Sequence, residues 1–267
     1  MDIESIRRID NDTERVNAIY EVFDEDTRLN RSKAARVEFL TSVKYIERYL
    51  KPDGKILDLG AGAGEYSLYF AKKGFDVTAV ELAENNVKAF RRKLEDGVPI
   101  TLIHGNACDL SAFEDGTFDT VLMLGPLYHL CRAEDRSKCI REALRVMKPD
   151  GTAFFAFISN DMVVLTELAH RPHFFKENSY DHDTFKVEDF PFVFFTIDRM
   201  REMLENEGVS IIHEVASDGP SELMADTINA LDDEEYAQYM RYHIYCCEKK
   251  EMLGMSNHVL IVGKKRN

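Results

Sequence analysis

Three glycines alternate with alanines in Gly60-Ala61-Gly62-Ala63-Gly64, directly after the run Ile56-Leu57-Asp58-Leu59. Glycine there lets the backbone turn sharply and approach a ligand with no Cβ in the way. A helix starting just beyond the loop aims its free amides and partial positive charge at whatever sits in it. A pyrophosphate is one ligand that suits such a cradle, and its usual spacing is G-x-G-x-x-G. Here position 65 is Glu, whose carboxylate would repel a pyrophosphate. A smaller amino-acid end, carrying both a carboxylate and an ammonium, fits the loop better. Asp58 could accept from such an ammonium, or it could cap the loop itself. Glu81 closes the next apolar run, and one carboxylate can accept from two vicinal hydroxyls; the plainer alternative is a solvated acid at a strand end. Tyr128 and His129, in Leu124-Gly125-Pro126-Leu127-Tyr128-His129-Leu130, are candidates to orient or deprotonate an acceptor. His129 could equally cap the next helix or pack structurally.

These residues need a frame, and the pattern around them supplies one. Short apolar runs at 56–59, 76–80, 99–103, 119–124 and 152–158 read as strands, and stretches with helical spacing at 66–73, 84–94 and 134–147 read as helices between them. Lys51-Pro52-Asp53-Gly54 and Lys148-Pro149-Asp150-Gly151 read as turns that end a helix and release a strand. Continuous apolar strands separated by helices predict a parallel sheet covered on both faces, doubly wound by right-handed crossovers. In such sheets ligands sit beyond the carboxyl ends of the strands, which is where the loops named above fall. Residues 2–23 and 31–50 predict two helices ahead of the sheet. Residues 159–196 predict a long irregular stretch, 197–207 a helix, 209–216 a strand, 222–251 one or two helices, and 258–264 a last strand.

The run from Ile56 to Gly64 resembles the first motif of class I S-adenosylmethionine-dependent methyltransferases. The resemblance continues in Glu81 after the second strand, Asn106-Ala107 after the third, Phe118-Asp119-Thr120-Val121-Leu122 in the fourth, and Leu144 to Gly151 before the fifth. It covers roughly residues 50–160 and rests on the ensemble, since each motif alone is modest. It implies an α/β, doubly wound, mostly parallel seven-stranded sheet of the Rossmann-like methyltransferase kind. The expected chain is a single domain over 1–267, with an N-terminal helical extension (1–50), a cofactor-binding core (51–160), and helical or aromatic cap insertions at 160–196 and 220–256. The implied cofactor is S-adenosylmethionine, held by Asp58, Gly60, Ala61, Gly62, Gly64, Glu81, Leu82, Asn106, Ala107 and Leu124. Glu81 would grip the ribose hydroxyls and Asn106 the adenine. Many relatives carry Asp at the Asn106 position, and Asp109 could substitute if the loop is shifted. The N-terminal helices near Tyr20 and Arg28 are expected to fold over the cofactor, as in relatives. Tyr128 and His129 are the catalytic candidates, for in-line methyl transfer in which alignment does most of the work.

Charge and composition narrow the acceptor. Against 34 Lys and Arg stand 48 Asp and Glu, a net charge of −14, which repels phosphate backbones and anionic lipid heads. The segment after the fourth strand lacks the Asp/Asn-Pro-Pro-Tyr/Phe run that DNA adenine methyltransferases resemble one another in. A small-molecule acceptor is therefore expected, with no nucleic acid and no membrane partner, and with oligomeric state open. Five cysteines without a C-x-x-C pair read as reduced thiols, and the start of the chain lacks a signal-peptide pattern, so a cytoplasmic protein is expected. His170, His173, Asp181, His182 and Asp183 are irregularly spaced around Pro172 and read as a polar loop; no metal is expected. The aromatic run at 190–195 could line an acceptor pocket, form a lid, or be core. A nicotinamide-dependent oxidoreductase and a non-catalytic S-adenosylmethionine-binding protein are the alternative functions.

Overall fold

The computed structural model describes residues 2–23 and 25–266, so Met1, Asp24 and Asn267 of the expected 1–267 unit lie outside the described residues. The strands are β1 Lys55–Leu59, β2 Asp76–Glu81, β3 Ile100–His104, β4 Phe118–Met123, β5 Met147–Ser159, β6 Phe194–Phe195, β7 Val209–Ala216 and β8 His258–Lys265. The helices are α1 Ile3–Arg7, α2 Asp12–Val22, α3 Lys33–Glu47, α4 Glu65–Lys72, α5 Glu84–Lys93, α6 Ala133–Val146, α7 Asn160–His170, α8 Ile197–Asn206, α9 Ala225–Ala230, α10 Asp233–Cys246 and α11 Lys250–Leu253.

Seven strands form one sheet in the order β3-β2-β1-β4-β5-β8-β7, and the two-residue β6 pairs with the far end of β5. β1 to β5 are mutually parallel, while β8 is antiparallel to both β5 and β7. The expected mostly parallel, doubly wound sheet is thus present, with β6 as an addition. All six residues of β4 are buried, as are the last four of β1, because helices cover both faces. The order reverses between β1 and β4, and that switch point leaves a crevice between the loops that follow them.

Four stretches depart from the sequence expectation. The helix expected over 2–23 breaks into α1 and α2, because Asn11 accepts from the Glu14 amide at 3.1 Å and starts a new helix there. Lys148 to Gly151 is not a turn ahead of a strand but an excursion within β5. Phe118 pairs with Met147 and Thr120 with Thr152, so two steps of β4 face five of β5. The helical stretch at 222–251 divides into three pieces, with α10 restarted by an Asp232–Glu235 capping box. The start of the expected irregular region is also ordered, since Ser159 caps α7 at the Met162 amide.

The two expected insertions pack differently. Residues 190–193 run beside the N-terminal helices, with the Arg7 guanidinium over the Phe190 ring and Phe23 against Phe192. The second insertion braces α3: Asn229 accepts from the Ala34 amide at 2.9 Å, and the Tyr236 hydroxyl donates to the Lys33 carbonyl at 2.8 Å.

Candidate functional site

The glycine loop is pinned at both ends. The Gly60 and Ala61 amides donate to the Val80 carbonyl at 2.8 and 3.2 Å, which ties the loop after β1 to β2. Gly60 has φ +66°, and a Cβ there would stand 2.8 Å from Pro126 Cδ. The loops after β1 and β4 therefore touch through a Gly–Pro contact that no larger residue permits. A Cβ on Gly62 would meet Glu25 Cγ at 3.2 Å, so the segment between α2 and α3 lies directly over the loop.

Two carboxylates sit beneath it. Glu81 is buried and accepts from the Gly62 amide at 2.8 Å, the Ala83 amide at 2.7 Å and Asn86 Nδ2 at 3.3 Å. Burial pushes its pKa up, although those donors pull the other way. Asp58, at the end of β1, accepts from Ser67 Oγ of α4 at 2.6 Å. Burial raises its pKa to about 7, with the Glu81 charge adding to the effect and the Ser67 hydrogen bond opposing it.

Two cavities open above these groups. One is lined by Glu81, Leu82, Asn106, Ala107, Val16 and Leu130. The other is lined by Asp58, Ala61, Gly62, Arg28, Leu124 and Tyr128. Tyr20, Gly60 and Gly125 line both, so the two meet where the loops after β1 and β4 touch. The first cavity is mostly apolar with one acid at its base; the second presents the Glu25–Arg28 ion pair, whose Nε lies 2.9 and 3.1 Å from the Glu25 oxygens. All but one of the expected cofactor residues line one cavity or the other. The exception is Gly64, which caps α4 with φ +88° and packs on the Phe90 ring. Asn106 Oδ1 accepts from the Cys108 amide at 2.9 Å, and Asp109 lines neither cavity.

Tyr128 and His129 lie on the short 3-10 turn after β4, where Pro126 sets the first position. The Tyr128 hydroxyl donates to the Leu124 carbonyl at 2.7 Å. His129 Nε2 lies 2.8 Å from the Tyr20 hydroxyl, and its buried Nδ1 has no hydrogen-bond partner among the described residues. Burial pushes the His129 pKa down to about 3, and the Arg15 and Arg28 charges add to that, so the ring is neutral. Phe192 packs edge-on against both Tyr128 and His129, with ring centroids 5.9 and 5.2 Å away. The aromatic run is thus divided: Phe194 and Phe195 are buried in β6, while Phe192 faces the site.

The sequence model of a family described as "Methyltransferase domain" matches residues 57–155, the stretch that carries the loop, Glu81, Asn106 and the turn at Tyr128. Over residues 57–155 this chain is similar to a methyltransferase domain. Among known proteins it is 34% identical over 113 residues to the protein YqeM of Bacillus subtilis (strain 168), covering 42% of this chain and 45% of that one. It is 34% identical over 119 residues to the ubiquinone biosynthesis O-methyltransferase of Xanthomonas axonopodis pv. citri (strain 306), covering 44% and 48%. The chain thus matches about half the length of these curated relatives. In overall fold it is similar to a structure of Burkholderia thailandensis 1,6-didemethyltoxoflavin-N1-methyltransferase with bound 1,6-didemethyltoxoflavin and S-adenosylhomocysteine. The TM-score is 0.56 and the identity 12%, over 99% of this chain and 89% of that one.

The matched stretch holds the glycine loop, Glu81 and Asn106. Around it stand groups that the sequence did not single out: Glu25, Glu38, Asp218 and His258, which link to Arg28 and come from segments up to 233 residues apart (258 − 25). No local signal marks them, since the chain brings them together only by folding. The His- and Asp-rich stretch is held by its own turn, with Asp181 Oδ1 accepting from the Asp183 and Thr184 amides at 3.0 and 2.7 Å. Among the described residues no helix is long and apolar enough to cross a membrane.

Proposed function

We propose that this protein transfers a methyl group from S-adenosylmethionine to a small-molecule acceptor. The observation that carries the reading is the pair of joined cavities, apolar over one acid on one side and ion-paired on the other, meeting at Gly60 and Gly125. Their lining fits the cofactor. Glu81 and Asn106 are placed for its nucleoside, Arg28 for its carboxylate, and Asp58 with Glu25 for its ammonium. S-adenosylmethionine, when bound, supplies an electrophilic methyl for in-line displacement. Glu81 would accept from the ribose hydroxyls while still bracing the Gly62 amide. Tyr128, through the Leu124 carbonyl, keeps the loop after β4 in place. Neutral His129 offers a hydrogen-bonding ring to an acceptor, not a proton sink at physiological pH. Phe192 and the α2 face exclude water from that side.

A net charge of −14 favours a small acceptor over nucleic acid. The relatives' printed names point to ubiquinone biosynthesis and to 1,6-didemethyltoxoflavin. We read residues 1–267 as one domain, with 190–193 and the N-terminal helices as its cap, working in the cytoplasm with its cysteines reduced. The five cysteines are unpaired. Because His129, beside the junction, is held neutral with its pKa down at about 3, a second reading is a non-catalytic S-adenosylmethionine binder. Incubation with S-adenosylmethionine carrying a radioactive methyl, across a panel of phenols, amines and thiols, separates the two. Label transferred to an acceptor supports the enzyme, whereas binding with no transfer to any of them supports the binder.

A further inference from the structure

Behind Arg28 lies a partly buried chain of charges that the cofactor reading leaves without a task. Arg28 Nη1 donates to Glu38 Oε2 at 2.7 Å. The same oxygen lies 3.4 Å from His258 Nδ1, which is 2.7 Å from Asp218 Oδ2. Asp218 Oδ1 in turn accepts from Ser256 Oγ at 2.7 Å and from the His258 amide at 3.0 Å. Four places in the chain meet here: the segment ahead of α3, α3 itself, the turn after β7, and the first residue of β8. His258 pairs with Ile158 of β5, so the rear of the chain is fixed to the sheet.

We propose that His258 is a positioning residue for the amino-acid end of the cofactor, holding Glu38 so that the Arg28 guanidinium is presented to an incoming carboxylate. This rests on the reading of the Arg28 cavity as the cofactor's.

Arg28 faces two carboxylates, Glu25 and Glu38. With both uncompensated, a third carboxylate from a ligand would meet net repulsion in a buried site, where such effects are strong. An imidazolium on the far side of Glu38 shares that oxygen with Arg28 and is itself paired with Asp218, so it anchors the Glu38 carboxylate from behind and fixes the guanidinium bonded to it. Burial alone would push the His258 pKa down, yet Glu38 and Asp218 outweigh it and hold it at about 9, so the ring is charged at neutral pH. The other groups facing this chain are Tyr66 of α4, beside Glu38, and Tyr239 and His243 of α10, beside Asp218. The first two stay protonated, with pKa values raised by burial, and burial keeps His243 neutral, so none supplies the positive charge. A metal ion is not needed to explain the cluster, since each carboxylate oxygen named already has a donor.

The test uses two ligands that differ in the amino-acid end. S-adenosylhomocysteine carries the carboxylate; 5′-methylthioadenosine does not. Dissociation constants are measured by calorimetry for the wild type, His258→Gln, Arg28→Gln and the double variant. The expected result is that His258→Gln weakens S-adenosylhomocysteine about tenfold and leaves 5′-methylthioadenosine within about twofold. In the Arg28→Gln background it should add nothing further, because coupled residues are not additive. A merely structural role would weaken both ligands alike, and that outcome, or no change with either, overturns the proposal. Asp218→Asn is run beside it and should show the same selective loss, which keeps the test intact should His258→Gln not fold. A wild type that binds neither ligand overturns the cofactor reading and this inference with it.

Discussion

Tyr20 Oη and His129 Nε2 lie 2.8 Å apart, joining α2 to the turn after β4 at the point where the two cavities meet. The contact makes the N-terminal helices part of the site wall. It also commits one nitrogen of a buried, neutral ring whose other nitrogen has no partner among the described residues.

Tyr20→Phe should therefore do two things. It strands a second buried polar atom, and stability should fall by about 1–3 kcal/mol, read from denaturant midpoints. It should also lower kcat/KM for the acceptor more than it weakens S-adenosylhomocysteine binding, read from initial rates and calorimetry.

His129 gives a pH prediction. Its folded pKa of about 3 lies below the ordinary 6.5, so unfolding takes up a proton. Its contribution to stability is intact above about pH 6.5 and is lost as pH falls toward 3. His129→Gln should flatten that acid limb in thermal unfolding scans. The acceptor pH–rate profile should show no inflection from this residue between pH 5 and 8.

Asp58 works the other way. Burial holds its carboxyl near pKa 7, so the ligand-free protein is partly protonated there at neutral pH. An incoming ammonium favours the ionised form and expels that proton. Affinity for S-adenosylhomocysteine should rise from pH 6 to pH 8, by up to about tenfold for one proton released. In Asp58→Asn that slope should disappear, which calorimetry at several pH values reads directly.

Glu81 has a double task, and its variants should separate the two. Glu81→Gln keeps an acceptor for loop amides and should weaken S-adenosylhomocysteine by roughly ten- to a hundredfold with little loss of stability. Glu81→Ala leaves the Gly62 and Ala83 amides without their partner and should cost a further 1–3 kcal/mol or so of stability.

Much of this was legible from local pattern. Gly60, Gly62 and Glu81 sit on or beside short strand-to-helix connections and Asn106 just past the end of β3, and each one's place follows from the strand before it. The sheet was readable for the same reason, since its buried strands are unbroken apolar runs. Capping decided what periodicity missed: Asn11 cuts the first helix in two, and Asp232 restarts another. Pro149-Asp150-Gly151 carries turn chemistry but spends it inside β5, where pairing with β4 overrides it. The Arg28–Glu38–His258–Asp218 chain left no trace, because no spacing rule relates residue 28 to residue 258. Gly64 matches the motif by type, and in the fold it caps α4 with a positive φ and lets Phe90 approach the start of that helix.

The most direct measurement is a thermal shift of the purified protein with S-adenosylhomocysteine, and separately with NADH and NADPH. At a hundred times its dissociation constant a ligand stabilises by about 2.7 kcal/mol, a rise of about 5 °C or more for a chain of this size. The joined cavities predict that rise with S-adenosylhomocysteine alone, and its loss in Glu81→Ala. Glu65 lines the second cavity, held by Lys93 Nζ at 2.8 Å, and its carboxylate would repel a pyrophosphate bound there. A rise with a nicotinamide nucleotide and none with S-adenosylhomocysteine would contradict the cofactor assignment and everything built on it.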